Sequence, residues 1–213
     1  MYRSVLKRTR EPGEPAPRPG RPRAFDLGEA VERALPVFWR HGYEGASLTD
    51  LTAAMGISRP SLYAAFGDKA GLFRAVVDRY GEGPAAFVAR ALAEPTARAV
   101  VERFLLDGAA AQTDPAYPAG CLAVQGALAC GTENAWSREI LRERRTAVQA
   151  ALADRLRQAR DAGDLPADAD PDDLSRFVAT VFQGMAVQAV SGASRAELEG
   201  IARRALAAWP TGR

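Results

Sequence analysis

The sequence predicts an all-α fold in two parts, and three observations carry that prediction. Apolar residues recur at three- and four-residue spacing from Phe25 to Trp209, and no segment shows the alternation of a half-buried strand. Helix-start residues followed at short range by Asp, Glu or Pro punctuate the chain, as at Ser47, Ser58, Asp170 and Ser194. A hydrophobic content of 47% over 213 residues is ample for a packed core. The predicted organisation is a basic arm over 1–23, a three-helix unit over 24–69 and a larger helical domain over 70–213.

Charge is uneven along the chain. The net value is only +2, but Arg3, Lys7, Arg8, Arg10, Arg18, Arg21 and Arg23 against Glu11 and Glu14 give the arm +5 and leave −3 for the rest. An arm so rich in Pro and Gly and poor in aromatics cannot bury enough apolar surface to fold alone, so it reads as disordered in the free protein. It has the charge to neutralise phosphates or enter a minor groove. No run of eighteen apolar residues occurs, and no apolar segment follows the charged N-terminus, so the expectation is a soluble, cytoplasmic protein that neither crosses nor binds a membrane. Cys121, Cys130 and the single His41 cannot build a four-ligand zinc site, and neither a metal nor an organic cofactor is expected. Both cysteines are expected to stay reduced.

The first helix starts at Asp26 and places Val31, Ala34, Leu35, Phe38 and Trp39 on one side, with Gly42 ending it. Pro36 lies inside it and is expected to remove one backbone hydrogen bond and bend it. From Ser47 to Lys69 follow two short helices joined by a tight turn. Ser47 caps the first, with Leu48, Leu51 and Met55 at helical spacing; Gly56 suits a left-handed helix end, and Ile57 plugs the gap between the two. Ser58 caps the second, Pro60 costs no hydrogen bond in its first turn, and Leu62 with Phe66 forms its buried pair. Arg59, Ser61, Tyr63 and Ala64 then face outward, a surface narrow enough to enter a major groove.

These residues resemble the helix-turn-helix of the TetR family of bacterial transcription regulators. The likeness rests on Gly42-Tyr43, Ser47 and Thr49, Met55-Gly56-Ile57-Ser58, Leu62-Tyr63 with Phe66, and Lys69 with Leu72, and it covers about residues 24 to 80. It implies that Ser47, Thr49, Ser58, Arg59, Pro60, Ser61, Tyr63 and Lys69 form the DNA-contacting set. Arg59 and Ser61 are expected at base edges, with Thr49, Tyr63 and Lys69 on phosphates. The arginine-rich chain has only two lysines, Lys7 and Lys69, and Lys69 stands where the family presents a phosphate-contacting lysine. The resemblance also implies that the fourth helix, capped by Asp68 and running through Leu72, Phe73, Val76 and Val77 toward Tyr80, links the DNA-reading unit to an effector-binding and dimerisation domain.

Beyond Pro84 the pattern remains helical. Phe87, Val88, Ala91 and Leu92 form one short helix, and Val100, Val101, Phe104 and Leu105 another; Asp114-Pro115 and Tyr117-Pro118 mark a loop. Gly120 to Gly131, small and apolar on all sides, reads as a helix buried in the domain centre. A long helix runs from Ala135 to Ala162, started by Asn134 or Thr132, with Trp136, Ile140, Val148, Leu152 and Leu156 on its apolar face. Asp170-Pro171 starts the next, through Phe177, Val181, Phe182, Met185 and Val190, and Ser194 with Glu197 makes a capping box for the last.

The function expected is that of a ligand-responsive regulator, most simply a repressor released from a palindromic double-stranded operator by a small, mostly apolar effector. If the pocket resembles the family's, Phe87, Phe104, Tyr117, Cys121, Gln125 and Phe182 are its candidate lining. The two long helices carry more apolar surface than one small domain can cover, and in TetR-like proteins the corresponding pair forms a four-helix bundle with its two-fold mate, so a homodimer is expected. The turn at Gly120-Cys121-Leu122 resembles that of some TetR-type electrophile sensors, and a thiol at a helix N-terminus can have a lowered pKa. An enzyme is not expected, since the second domain shows no paired carboxylates, nucleophile elbow or phosphate loop. A DNA-binding interaction module with no effector is the alternative, and it requires a second domain packed without a cavity.

Overall fold

The computed structural model describes residues 25–128 and 134–210, and among them every regular element is an α-helix. In chain order these are α1 (Leu27–Gly45), α2 (Leu48–Met55), α3 (Arg59–Phe66), α4 (Lys69–Glu82), α5 (Phe87–Leu92), α6 (Ala97–Gln112), α7 (Leu122–Leu128), α8 (Ala135–Asp161), α9 (Pro171–Val190) and α10 (Arg195–Ala207). The basic arm, Cys130 and Thr132 lie outside the described residues.

Local chemistry sets most of the boundaries. Asp26, Ser47, Ser58, Asp68, Thr96, Asp170 and Ser194 each accept a first-turn backbone N–H through a side-chain oxygen, and Ser194 with Glu197 completes the reciprocal capping box. Gly56 adopts φ 67°, ψ 31°, the left-handed geometry the turn between α2 and α3 needs. Asn134 stands at the start of α8 without capping it; its side-chain amide donates instead to Glu44 at 3.3 Å.

The bend expected at Pro36 is not where α1 breaks. The residue in α1 with non-helical backbone is Gly42, at φ 64° and ψ −177°, and one further turn follows to Gly45. Gly42 is buried, and the positive φ there is accessible because glycine has no Cβ to clash.

Two hydrophobic cores organise the chain. The first gathers Leu35, Phe38, Leu51, Leu62, Leu72, Phe73 and Val76 from α1 to α4, and continues through Leu122 of α7 to Leu141 of α8 and Ala186 of α9. The second joins Phe87, Phe104, Leu105, Leu152, Leu156, Val178, Met185, Leu198 and Trp209. Phe182 packs against both. The fourth helix thus buries its whole apolar face in the first core, so the three-helix unit and the helices behind it are joined by continuous packing across residue 69.

Helix α7, within the segment expected to be apolar on all sides, packs against both α1 and α8, with Leu122 fully buried and Val124 and Gln125 half-buried. Its contact with α8 is close: a Cβ at Gly126 would lie 2.7 Å from Leu141 Cδ1. Of the apolar face expected on α8, Leu152 and Leu156 are fully buried and Trp136, Ile140 and Val148 are half-buried against the cores, while fully buried Leu141 lies beside that face. No helix among the described residues is long and apolar enough to cross a membrane.

Candidate nucleic-acid interface and the cavity behind it

Helix α3 is anchored by fully buried Leu62 and half-buried Phe66, which turns Arg59, Pro60, Tyr63 and Ala64 to solvent. Tyr63 is 46% exposed. Arg59, at the first residue of α3, donates from Nη2 to Thr49 Oγ1 at 2.8 Å and makes no ion pair among the described residues. The α2 threonine therefore holds the α3 guanidinium in place. Thr49 Oγ1, acting there as acceptor, keeps its own proton to donate outward.

The serines of the predicted set are partly occupied. Ser47 Oγ donates to Asp50 Oδ2 at 2.6 Å while accepting the Asp50 N–H, so its proton is committed within α2. Ser58 and Ser61 share a hydroxyl hydrogen bond at 2.9 Å, leaving one of the two protons free to point away. Ser61 is half-buried and Ser58 exposed.

Lys69 is not a free surface lysine. Its Nζ lies 4.5 Å from the centroid of the Tyr43 ring, and burial pulls its pKa below the usual lysine range, against the nearby Glu44 carboxylate. Tyr43 is thus a residue that sequence spacing did not assign to the site, although the motif contained it. Its ring is edge-on to Phe73 at 5.3 Å and to Trp136 at 4.6 Å, which ties the ring under Lys69 to the first turn of α8.

Behind the reader, between α4 and the helices that follow, lies an apolar cavity of about 260 Å³. Phe87, Phe104, Cys121 and Phe182 of the predicted set line it, the three phenylalanine rings forming a cluster with centroids 5.1–6.0 Å apart. Tyr117 and Gln125 are not on this wall. The Tyr117 hydroxyl donates to Glu32 Oε1 at 2.8 Å and its ring stacks on Trp39, because the loop after α6 folds back onto α1. Gln125 turns toward its own helix start: its Oε1 accepts the Cys121 N–H at 2.6 Å and its Nε2 donates to the Ala186 carbonyl at 3.2 Å. Sequence reasoning missed Tyr80, Arg144 and Arg145, which also face the cavity.

The lowered thiol pKa expected of Cys121 is not found. Burial pushes the thiol up, and the Tyr80 hydroxyl, donating to Sγ at 3.2 Å, offsets only part of that. Among the described residues no cluster of His, Cys, Asp and Glu could hold a metal ion.

An exposed helix with a fixed guanidinium at its N-terminus, carried on a three-helix unit and backed by a helical domain, defines a helix-turn-helix DNA-binding regulator. The chain belongs to the TetR family of bacterial regulatory proteins. Residues 30–76 match the family's N-terminal domain, and residues 95–206 match the tetracyclin repressor-like C-terminal domain. It is 35% identical over 200 residues to the HTH-type transcriptional repressor ComR of Escherichia coli K12, covering 90% of this chain and 92% of ComR. The structure of a cysteine-substituted variant of the TetR family regulator CifR with 26-base-pair operator DNA superposes with a TM-score of 0.85. That chain is 43% identical and the match covers 89% of this chain and all of that one. A TetR regulator from Rhodococcus sp. RHA1 is 40% identical, with a TM-score of 0.60 over 85% of this chain and 98% of its own. The protein is a transcription regulator, and these relatives are regulators, not enzymes.

Proposed function

We propose that this regulator is a homodimeric repressor that binds a palindromic operator through two copies of α3 and leaves it when a small, mostly apolar effector enters the second domain. The observation that carries the DNA side is the Arg59–Thr49 hydrogen bond at 2.8 Å, which presents a guanidinium with no carboxylate partner at the tip of the exposed helix. A guanidinium so placed can pair with the O6 and N7 acceptors of guanine. Thr49, Tyr63 and Lys69 serve the phosphates, Ser61 reaches the base edges beside Arg59, and Ser47, Ser58 and Pro60 shape the ends of the two helices. The basic arm adds sequence-independent affinity. The operator-bound CifR structure supports this reading by its likeness in sequence and fold.

The effector side rests on the cavity of about 260 Å³ behind α4, which favours a sensor over an interaction module packed solid. The dimer rests on α9, where Phe177, Gly184 and Val187 are all exposed along one side of the helix and Val190 follows. Selection of bound sequences from randomised duplex DNA tests the whole: the expected product is an inverted repeat with half-sites one turn apart or a small multiple. A single asymmetric site, or no enrichment, would overturn the proposal.

A further inference from the structure

Resting on the reading of this cavity as the effector site, we infer that the effector is an amphiphile with a carboxylate head group and that Arg144 is the residue that receives it. Arg144 and Arg145 of α8 both face a cavity whose remaining lining is mainly apolar, and no carboxylate is among the lining residues. The cavity wall thus offers neither cation a carboxylate partner.

Their roles differ. Arg145 donates to the Ala123 carbonyl and so fastens α8 to α7. Arg144 makes no hydrogen bond or ion pair among the described residues. Its guanidinium lies against the backbone of α4: a Cβ at Gly81 would fall 1.7 Å from Arg144 Nη2, so the cation occupies room that only glycine leaves. Tyr80, the preceding residue of α4, also lines the cavity, its hydroxyl donating to Cys121 Sγ at 3.2 Å.

Desolvation decides which head group fits. A neutral apolar molecule would displace water from two guanidiniums and give nothing back, which is costly for an unpaired cation. A carboxylate returns a charge-assisted hydrogen bond, two in parallel where the guanidinium is free to present its fork, and only Arg144 is free. The phenylalanine cluster at Phe87, Phe104 and Phe182 then takes the apolar portion. Since Arg144 rests on α4, the helix that follows the reader, capturing its guanidinium acts on the element that positions α3.

The test is calorimetric titration of the full-length protein with octanoate and with octanol, which share a chain and differ in the head group. Wild type is expected to bind octanoate about tenfold or more tightly than octanol, the difference made by one charge-assisted contact. Arg144→Gln should abolish that preference while leaving octanol affinity within about twofold, and Arg144→Lys should restore part of it. Circular dichroism of both variants should match wild type, because no hydrogen bond is lost. Octanol binding as tightly as octanoate, or a preference that survives Arg144→Gln, would overturn the head-group assignment and leave the cavity reading standing. Binding of neither compound would count against both, as would octanoate binding that persists when Val148→Trp fills the cavity.

Discussion

The Trp136 ring meets the Tyr43 ring edge-on at 4.6 Å, and the same Tyr43 carries Lys69 over its face at 4.5 Å. Trp136, in the first turn of the long helix α8, thus touches the ring that supports Lys69. Arg74 of α4 lies 5.0 Å from the other partner, Trp136, so α1, α4 and α8 meet at one aromatic joint. The first turn of α8 is thus packed directly on α1 and α4.

Trp136→Ala should expose this joint. Truncation of a fully buried tryptophan costs about 3–5 kcal/mol, and Trp136 is half-buried, so about 2 kcal/mol is expected. Urea denaturation should give a lower midpoint with unchanged helical content. A midpoint equal to wild type would show that the two units are held by the rest of the core alone.

Glu32 gives a pH-dependent link between the same units. Partial burial raises its pKa, but the Arg79 guanidinium at 2.5 Å and the Tyr117 hydroxyl at 2.8 Å outweigh this and hold it below the ordinary value of 4.5. A carboxylate with a depressed folded-state pKa adds stability above its unfolded value and loses it as pH falls through the folded one. Stability should therefore drop on acidification below about pH 4.5, and Glu32→Gln should flatten that part of the profile. Tyr117→Phe should cost about 1 kcal/mol at neutral pH, the ordinary worth of one hydrogen bond, and reduce the acid-side loss. Parallel urea titrations at several pH values measure both; identical profiles for wild type and Glu32→Gln would refute the assignment.

Much of this arrangement was legible in the sequence, for a physical reason. Helix caps and glycine turns are local devices, so Ser47, Ser58, Asp68, Gly56 and the Ser194–Glu197 box could be read without knowing what they pack against. The apolar stripe of α1 and α4 was equally plain. What could not be read is which way a side chain turns when two cores compete for it. Tyr117 and Gln125 have the chemistry of pocket residues, yet one is claimed by Glu32 and Trp39 and the other by the backbone at Cys121 and Ala186. Arg144 and Arg145 carry no local signal that would mark them as cavity residues; that depends on how α8 packs against α4 and α7. The departure from helical backbone in α1 falls at Gly42, where a positive φ costs glycine little, and spacing alone did not single out that break.

The reactivity of Cys121 follows from its surroundings. Burial keeps the thiol protonated at neutral pH, and the Tyr80 hydroxyl lowers its pKa only in part. In a Cys130→Ser background, alkylation by iodoacetamide at pH 7 should be slower than that of a free cysteine, by about tenfold for each unit of pKa increase. Tyr80→Phe removes the donated hydrogen bond and should move the titration of the alkylation rate to higher pH. A midpoint that stays in place would mean the hydroxyl does not act on the sulfur.

The α9 face predicts the assembly. Gly184 has open space around it within the protomer, with no atom within 4 Å of where a Cβ would stand, and it lies between exposed Phe177 and Val187. Gly184→Arg should therefore fold as one chain but place a cation and its bulk at the centre of a two-fold contact. Sedimentation at micromolar concentration should show wild type as a dimer and the variant as a folded monomer. A variant that remains dimeric would move the contact elsewhere, and a wild type that is monomeric would refute the dimer itself.

On the proposed division of labour, in which Arg59 reads bases and Lys69 holds the phosphate backbone, the two residues should fail in different ways. Arg59→Ala should cost about 1–3 kcal/mol on the selected operator and relax preference at one symmetric base-pair position. Thr49→Val leaves the guanidinium present but removes the hydroxyl that accepts from it at 2.8 Å, so it should weaken the same preference without abolishing it. Lys69→Ala should weaken all sequences alike and reduce the salt slope by about one per subunit. Tyr43→Leu, which takes away the ring under Nζ but not the charge, should reduce affinity less than Lys69→Ala and leave base preference untouched. Binding-site selection on each variant, with affinities measured over a range of salt, separates the two roles. If Arg59→Ala keeps the wild-type preference at every position, α3 reads its site through other side chains.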